Sequence, residues 1–230
     1  DLDIIVDSPS LRRKFLDNVL EQVDREYRLA LISFTKALMQ RNALLEKARE
    51  EGKRNEKQFE YWDNILIENG NKITEKRQNF IEFVNKEERE IFDFVMYYDK
   101  SIISKDRLLQ YKEAELASAV TLVGPHRDDF FVYINDIDTK SYGSQGQQRT
   151  AVLTMKFSSL EIIKELTGEF PVLLLDDVLS ELDFNRKKYI LSTIGQIQTV
   201  ITCTGIEDLY EYLDEKAKVF KVKNGEIVNS

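Results

Sequence analysis

Between Ser8 and about Ser118, apolar side chains return every three or four residues, which confines roughly 110 residues to helix. In "SPSLRRKFLDNVLEQVDREYRLALISFTKALMQRNALLEKAREEG" the apolar positions are Phe15, Val19, Val23, Tyr27, Leu31, Phe34 and Leu38. They lie on one face of a 3.6-residue helix. Ser8-Pro9-Ser10 is a start signal, and Gly52 in a run of charges is a stop. Unbroken, this helix would run for roughly 40 residues and about 60 Å. A second helical run covers Glu56 to about Asn85, with "ENGNK" around Gly70 as a break, and a third covers about Lys105 to Ser118. Segments this long and charged predict a projecting arm. An ordinary helical hairpin packed on a core has the same periodicity.

At Val120 the texture changes. "TLVGPHRDDFFVYINDIDTKSY" is rich in β-branched and aromatic residues around an Asn-Asp turn, and predicts a strand and a hairpin. "GSQGQQRTAVLTMKFSSLEIIKELTG" follows as a helix with a glycine-rich entrance and Gly168 as its stop. Next come a strand at Val172–Leu175, a helix over about Phe184–Ile194, a strand "TVITC", a helix near Glu207–Leu213 and a hairpin "KVFKVKNGEIV" turning on Asn-Gly. Strands alternating with helices predict a parallel α/β layer. The expected fold class is therefore α/β plus all-α. The opening "DLDIIVDSPS" lacks Met and alternates through Leu2, Ile4 and Val6, so it is expected to be a strand in a chain entered partway through.

Charge narrows the function classes. The net charge is −8, with 21 basic and 24 acidic side chains in residues 1–120 and 12 and 17 in residues 121–230. Neither part is a basic nucleic-acid module, so any DNA contact must come from a local patch. The single Cys203 excludes an internal disulfide and suits a reducing cytoplasm. No apolar run approaches the about 18 residues that suggest a membrane span.

Two features carry chemistry. In "SYGSQGQQR", Ser144 and Gln147 have capping-box spacing and Gly146 keeps the first helical turn open. Free N–H groups and the positive helix end then form an anion site. In "FPVLLLDDVLSELD" a buried-looking strand runs into Asp176 and Asp177. In α/β sheets ligands bind beyond the carboxyl ends of strands. A carboxylate there suits Mg²⁺, which takes one or two carboxylates and fills its shell with water and phosphate oxygens. Asp177, pointing elsewhere, can orient or deprotonate a water. Ser180 and Asp183 follow within reach of the same region.

The order of these signals resembles the second half of an ABC-type ATPase head of the SMC-like DNA-repair branch. It is most similar to the RecF family: "SPSLRRKFLD", "GPHRDD", "SQGQQRT" and "LLLDDVLSELD" each resemble its signatures, in its order. The resemblance implies a partial ABC-type P-loop ATPase head with a long helical arm. Residues 1–9 would end a strand of the N-terminal lobe, 10–118 form the arm, and 119–230 form the signature and Walker B half. It implies that Ser144, Gly146 and Gln147 touch the γ-phosphate of ATP held by another protomer, so that ATP drives homodimerisation. Asp176 would be the Walker B acid on Mg²⁺. Asp177 would stand where most ABC ATPases carry a catalytic Glu, and Asp183 would close the D-loop. At the switch position, commonly His, Thr202 and Thr204 stand instead, which implies slow hydrolysis. Implied partners are gapped or junction DNA and RecR- and RecO-type proteins, in DNA repair, recombination, replication and the SOS response.

One element is missing. None of the nine glycines opens a G-x-x-x-x-G-K-[ST] loop, so the expectation is a fragment without Walker A, inactive alone and prone to self-association. Arg12, Arg13 and Arg127 are candidates for DNA or phosphate; Arg12 and Arg13 could equally pair with Asp7 and Asp17. Lys53 and Arg54 are further basic candidates, near Phe59, Tyr61 and Trp62. His126 and Cys203 are expected to be structural. A competing function is a protein-interaction module in which the arm binds a repair protein and no chemistry occurs. A transporter-type nucleotide-binding domain is disfavoured by the inserted arm.

Overall fold

In the computed structural model of the chain, residues 2–87, 89, 92–177, 187–188, 191, 194–195, 197–204 and 217–228 are described. The chain divides into two compact units, Asp1–Phe170 and Pro171–Ser230. The first contains α1 (Asp3–Val6), α2 (Pro9–Val23), α3 (Arg25–Glu51), α4 (Glu56–Lys86), β1 (Phe94–Asp99), α5 (Lys105–Gln110) and α6 (Lys112–Ser118). It continues through a 3-10 turn at Pro125–Arg127 to β2 (Asp129–Ile134), β3 (Ile137–Asp138) and α7 (Gln145–Thr167).

Helical periodicity located the long elements but not their ends. The run expected from Ser8 to Gly52 is two helices. Asp24 leaves helical geometry (φ −119°, ψ 105°), and its carboxylate accepts the Tyr27 N–H at 3.0 Å, capping α3. Gly52, at φ +65°, does end α3. The break expected at Gly70 is absent: α4 runs straight through it. A Cβ there would lie 2.8 Å from Ile103 Cγ2 and 3.2 Å from Phe34 Cε2, so this glycine admits neighbours rather than ending a helix. The run expected over Lys105–Ser118 is divided at Tyr111. The opening segment is helix rather than strand, because adjacent Ile4 and Ile5 break the alternation and Ile5 is the residue buried. Within the span expected to be helical, Phe94–Asp99 is a strand with alternating burial.

α3 and α4 form an antiparallel pair, as the cross-links Arg41–Asp63 and Arg77–Tyr27 require. One core gathers Leu16 and Leu20 of α2, Phe34 and Ala37 of α3, and Leu66, Ile73 and Phe80 of α4. It includes Met96, Phe130 and Val132 of the sheet and Ala151 and Met155 of α7. Each large apolar side chain buried this way contributes about 1.5–3 kcal/mol. The composition change at Val120 is thus a change of secondary structure inside a shared core, and the boundary expected at 118/119 falls within the first unit.

β1 is antiparallel to β2, from Phe94 opposite Ile134 to Asp99 opposite Asp129. β3 returns over Asn135 and Asp136, both at positive φ, the twist that a two-residue hairpin turn requires. The Asn85 side chain donates to Met96 O and accepts from Met96 N, both at 2.8 Å, and so closes part of the outer edge of β1.

In the second unit β4 (Leu173–Asp176) and β5 (Thr199–Thr202) pair in parallel, Leu173 opposite Thr199 and Asp176 opposite Thr202. Leu174 and Val200, opposite each other, are both largely exposed. β6 (Lys221–Lys223) and β7 (Glu226–Val228) form the expected hairpin over Asn224-Gly225. The helices expected at about Phe184–Ile194 and Glu207–Leu213 lie largely or wholly outside the described residues.

Candidate functional site

The "GPHRDD" loop is where the helices are fastened to the sheet. Asp128 is 1% exposed. It accepts hydrogen bonds from Arg77 Nη1 at 3.1 Å, from the Ser101 N–H at 2.7 Å and from the Tyr98 hydroxyl. Arg77, itself buried, also donates to Asp17 at 2.7 Å, to Pro125 O at 2.8 Å and to Tyr27 Oη at 3.0 Å. The Tyr27 hydroxyl completes the ring by donating to Asp17. Burial raises the pKa of Asp128, against the pull of its donors Tyr98, Ser101 and Arg77. Asp129 receives Arg12 through two bonds of 2.6 and 2.9 Å, a bidentate fork. Farther along α3, buried Arg41 reaches Glu115 at 2.7 Å, Asp63 at 2.6 Å and Thr121 at 2.9 Å.

This geometry redefines several candidates. Arg12 is 2% exposed, and besides Asp129 it donates to the backbone of Ile5 and Asp7. It is an internal fastener and presents nothing to a phosphate backbone. Arg13, half-buried, donates to Asp128 O at 2.7 Å. Arg127 is exposed, with one bond of 3.2 Å to Thr121 O, and is the most accessible of the three. His126 Nε2 meets Thr121 O at 3.0 Å, the ring lies against Phe34, and burial lowers its pKa to about 4. It is structural. Arg54 stacks 3.8 Å over the Phe59 ring and pairs with Glu56, while Trp62 packs partly buried against the core.

The start of α7 is built as an anion site requires. Ser144 is the N-cap. Its Oγ accepts the Gln147 N–H at 3.2 Å, and Gln147 Oε1 accepts the Ser144 N–H at 2.9 Å, a complete capping box. Ser144 O takes the Gln148 N–H, which leaves those of Gln145 and Gly146 at the open helix end. The position of this turn is fixed from below. A Cβ on Gly143 would lie 2.5 Å from Thr139 O, so only glycine fits. Thr139 is locked in turn by two bonds to Val132 O and by Gln148 Nε2 on its own carbonyl at 3.1 Å.

In the second unit, Asp176 ends β4 and Thr202 ends β5 at the same register position. The Thr202 hydroxyl donates to Asp176 Oδ1, and Asp177 N donates to Thr202 O at 3.1 Å and Thr202 Oγ1 at 3.0 Å. Asp177 turns to φ +51°, a left-handed conformation that Asp tolerates. Both aspartates are exposed. The candidates Asp176, Asp177 and Thr202 are therefore brought together at the carboxyl end of a parallel pair. Thr204, exposed, follows β5, and Asp183 lies outside the described residues. Among the described residues no group of three or more His, Cys, Asp or Glu could hold a metal. Asp176, exposed at the strand end, still fits Mg²⁺, which takes one or two carboxylates and leaves most of its shell to water and phosphate oxygens.

Sequence reasoning missed the buried arginines Arg41 and Arg77 and their partners Asp17, Glu115, Tyr27 and Tyr98. These pairs are separated by ten to 80 positions along the chain, and no local spacing announces them. The hydroxyl of Thr202 on Asp176 was missed for the same reason, although strand register could have suggested it.

No family model matches the chain. It is 50% identical over 245 aligned positions to the DNA replication and repair protein RecF of Clostridium botulinum (strain Eklund 17B / Type B), covering all of this chain and 67% of that protein. The RecF of Clostridium perfringens (strain SM101 / Type A) is 47% identical, with 99% and 66% covered. A solved structure of the recombination mediator protein RecF with ATP, in the RecFOR pathway, superposes with a TM-score of 0.81 at 38% identity, covering 99% of this chain and 64% of that one. A second, described as RecF-ATPrS, gives 0.80 at 39%. The chain thus spans about two thirds of the length of these relatives. No helix among the described residues is long and apolar enough to cross a membrane. With identity and superposition extending over essentially its whole length, the chain belongs to the RecF family and has the fold of part of an ABC-type ATPase head with a helical arm.

Proposed function

We propose that this chain supplies the signature and Walker B parts of a RecF-type ATPase acting in recombinational repair of gapped DNA, with RecR- and RecO-type partners. In this division residues 10–118 serve as the arm and 119–230 as half of the head. The observation that carries the reading is the pairing of Asp176 with Thr202 at the carboxyl end of β4 and β5, with Asp177 next in the chain.

Each residue then has a task. The N–H groups of Gln145 and Gly146, pre-aimed by the Ser144–Gln147 capping box, meet the terminal phosphate of ATP held by a second protomer. That contact makes dimerisation depend on ATP. Asp176 would hold Mg²⁺, which would supply positive charge to the phosphate oxygens. The Thr202 hydroxyl, donating to Asp176 Oδ1, would hold that carboxylate in place for the cation. Asp177 positions the attacking water and accepts its proton. Arg127, with Arg13 beside it, offers the DNA-facing charge, so binding weakens as salt rises.

The P-loop must come from outside these 230 residues. The test fuses the chain to the P-loop lobe of a RecF-type relative and measures Mg²⁺-dependent ATP hydrolysis. Slow hydrolysis is expected, with Asp177→Asn lowering the rate by about 10²–10⁴-fold and Asp176→Asn abolishing its Mg²⁺ dependence. The unfused chain should hydrolyse no ATP. Turnover by residues 1–230 that survives Asp176→Asn would sink the assignment.

A further inference from the structure

The outward face of α3 is apolar in its middle and charged at its ends, with opposite signs. Leu29, Ile32 and Met39 are 52%, 58% and 62% exposed. With exposed Lys36 and Ala43 they form a row spaced by threes and fours along one side of the helix. Scattered exposed apolar residues need no explanation, but a continuous row marks an interaction surface. Arg25 and Arg28 stand at the N-terminal end of this face, and Glu46 and Glu50 at its C-terminal end, where Lys47 between them pairs with Glu51 at 3.8 Å. Arg25, Arg28, Glu46 and Glu50 are all exposed, and none of these four forms an ion pair among the described residues. Beside this end, a groove of mixed lining, with Leu38, Met39, Ala43 and Val120 beside Glu46 and Arg49, opens where α3 meets the end of α6.

We propose that this face docks a second copy of the chain, with the two α3 helices antiparallel about a two-fold axis near Lys36 and Met39. A two-fold interface must be self-complementary, and this face meets that condition. Reversal sets Arg25 and Arg28 of one copy against Glu46 and Glu50 of the other, twice per dimer. It brings Ile32 of each copy opposite Ala43 of the other, next to the groove. A parallel arrangement would set like charges together. An acidic partner would match only the Arg25–Arg28 end, and a basic one only the Glu46–Glu50 end. Two helices of this length bury less than the roughly 1,600 Å² of a standard interface, so the dimer belongs to the weak, concentration-dependent class. It uses neither Ser144 nor Asp176, and is independent of the nucleotide-driven association proposed above.

Sedimentation velocity on the 230-residue chain, up to the high micromolar range and without nucleotide or Mg²⁺, tests the inference and leaves the ATPase reading untouched. A monomer–dimer equilibrium weakened by salt is expected. Ile32→Glu should raise the dimer Kd by about tenfold or more, with the α-helical circular dichroism unchanged. Arg25→Glu with Arg28→Glu should do the same. Adding Glu46→Lys and Glu50→Lys to that variant should restore association, because the ends are then reversed together. In a Cys203→Ser background, Met39→Cys should form an intermolecular disulfide on oxidation. A chain that stays monomeric throughout, or a dimer indifferent to Ile32→Glu and to the charge reversals, would overturn the proposal.

Discussion

The chain contains two Asp-Asp pairs with opposite fates. Asp128 and Asp129, after "GPHR", are consumed from within: Arg77, Tyr98 and Ser101 hold the first and Arg12 forks onto the second. Asp176 and Asp177, after "VLLL", are exposed at a strand end, where a threonine hydroxyl meets one of them. The same dipeptide is an internal fastener in one unit and an exposed strand end in the other. What separates them is burial. A buried carboxylate must be fully partnered and has nothing left to offer a ligand, whereas an exposed one keeps its free oxygens.

The contrast predicts unequal costs. Arg77→Ala removes one partner from Asp17 and Asp128 together and leaves buried charge uncompensated, so stability should fall by about 3–5 kcal/mol in urea unfolding. A loss below about 1 kcal/mol would mean that this network behaves like a surface ion pair, and the comparison would break.

His126 sharpens the comparison through pH. Its folded pKa, about 4, is lower than its ordinary value of 6.5. The unfolded chain therefore takes up a proton below pH 6.5 that the folded chain refuses until near pH 4. Its contribution is fully present above pH 6.5 and is lost as pH falls through that window, by about 3 kcal/mol in all. His126→Gln should flatten that part of the stability curve relative to the parent chain. Parallel curves would show that the histidine is not held neutral.

Smaller effects belong to the exposed sites. Ser144→Ala removes one half of the capping box and should cost about 1 kcal/mol, read as faster amide exchange confined to the first turn of α7. Asp176→Asn should change stability by no more than about 0.5 kcal/mol, although it removes the proposed Mg²⁺ ligand. A large destabilisation there would mean that this Asp pair is architecture too.

How much of this was legible in the sequence depended on distance along the chain. The capping box of Ser144 and Gln147, the Gly168 and Gly52 stops and the Asn-Gly hairpin all involve neighbours within four positions, and each was found where expected. The strand β1 was missed because "FVMYYD" sits among helical segments, and its alternation gains meaning only from pairing with Asp129–Ile134, some 30 residues later. For Arg12 the sequence offered a phosphate contact or pairing with Asp7 or Asp17, the acids nearby in the chain, and neither is what it does. Its partner Asp129 lies 117 positions away.

The sequence by itself determined several caps and stops, the order of the motifs and the family, since cap residues and motif spacing are written in adjacent residues. Only the tertiary structure decided which charges are buried, which glycines are packing contacts rather than breaks, and that Thr202 meets Asp176. Those outcomes depend on which distant segments share a core or a strand register. A charged side chain becomes a fastener or a ligand according to the water left around it, and that is a property of the folded surface rather than of the residue.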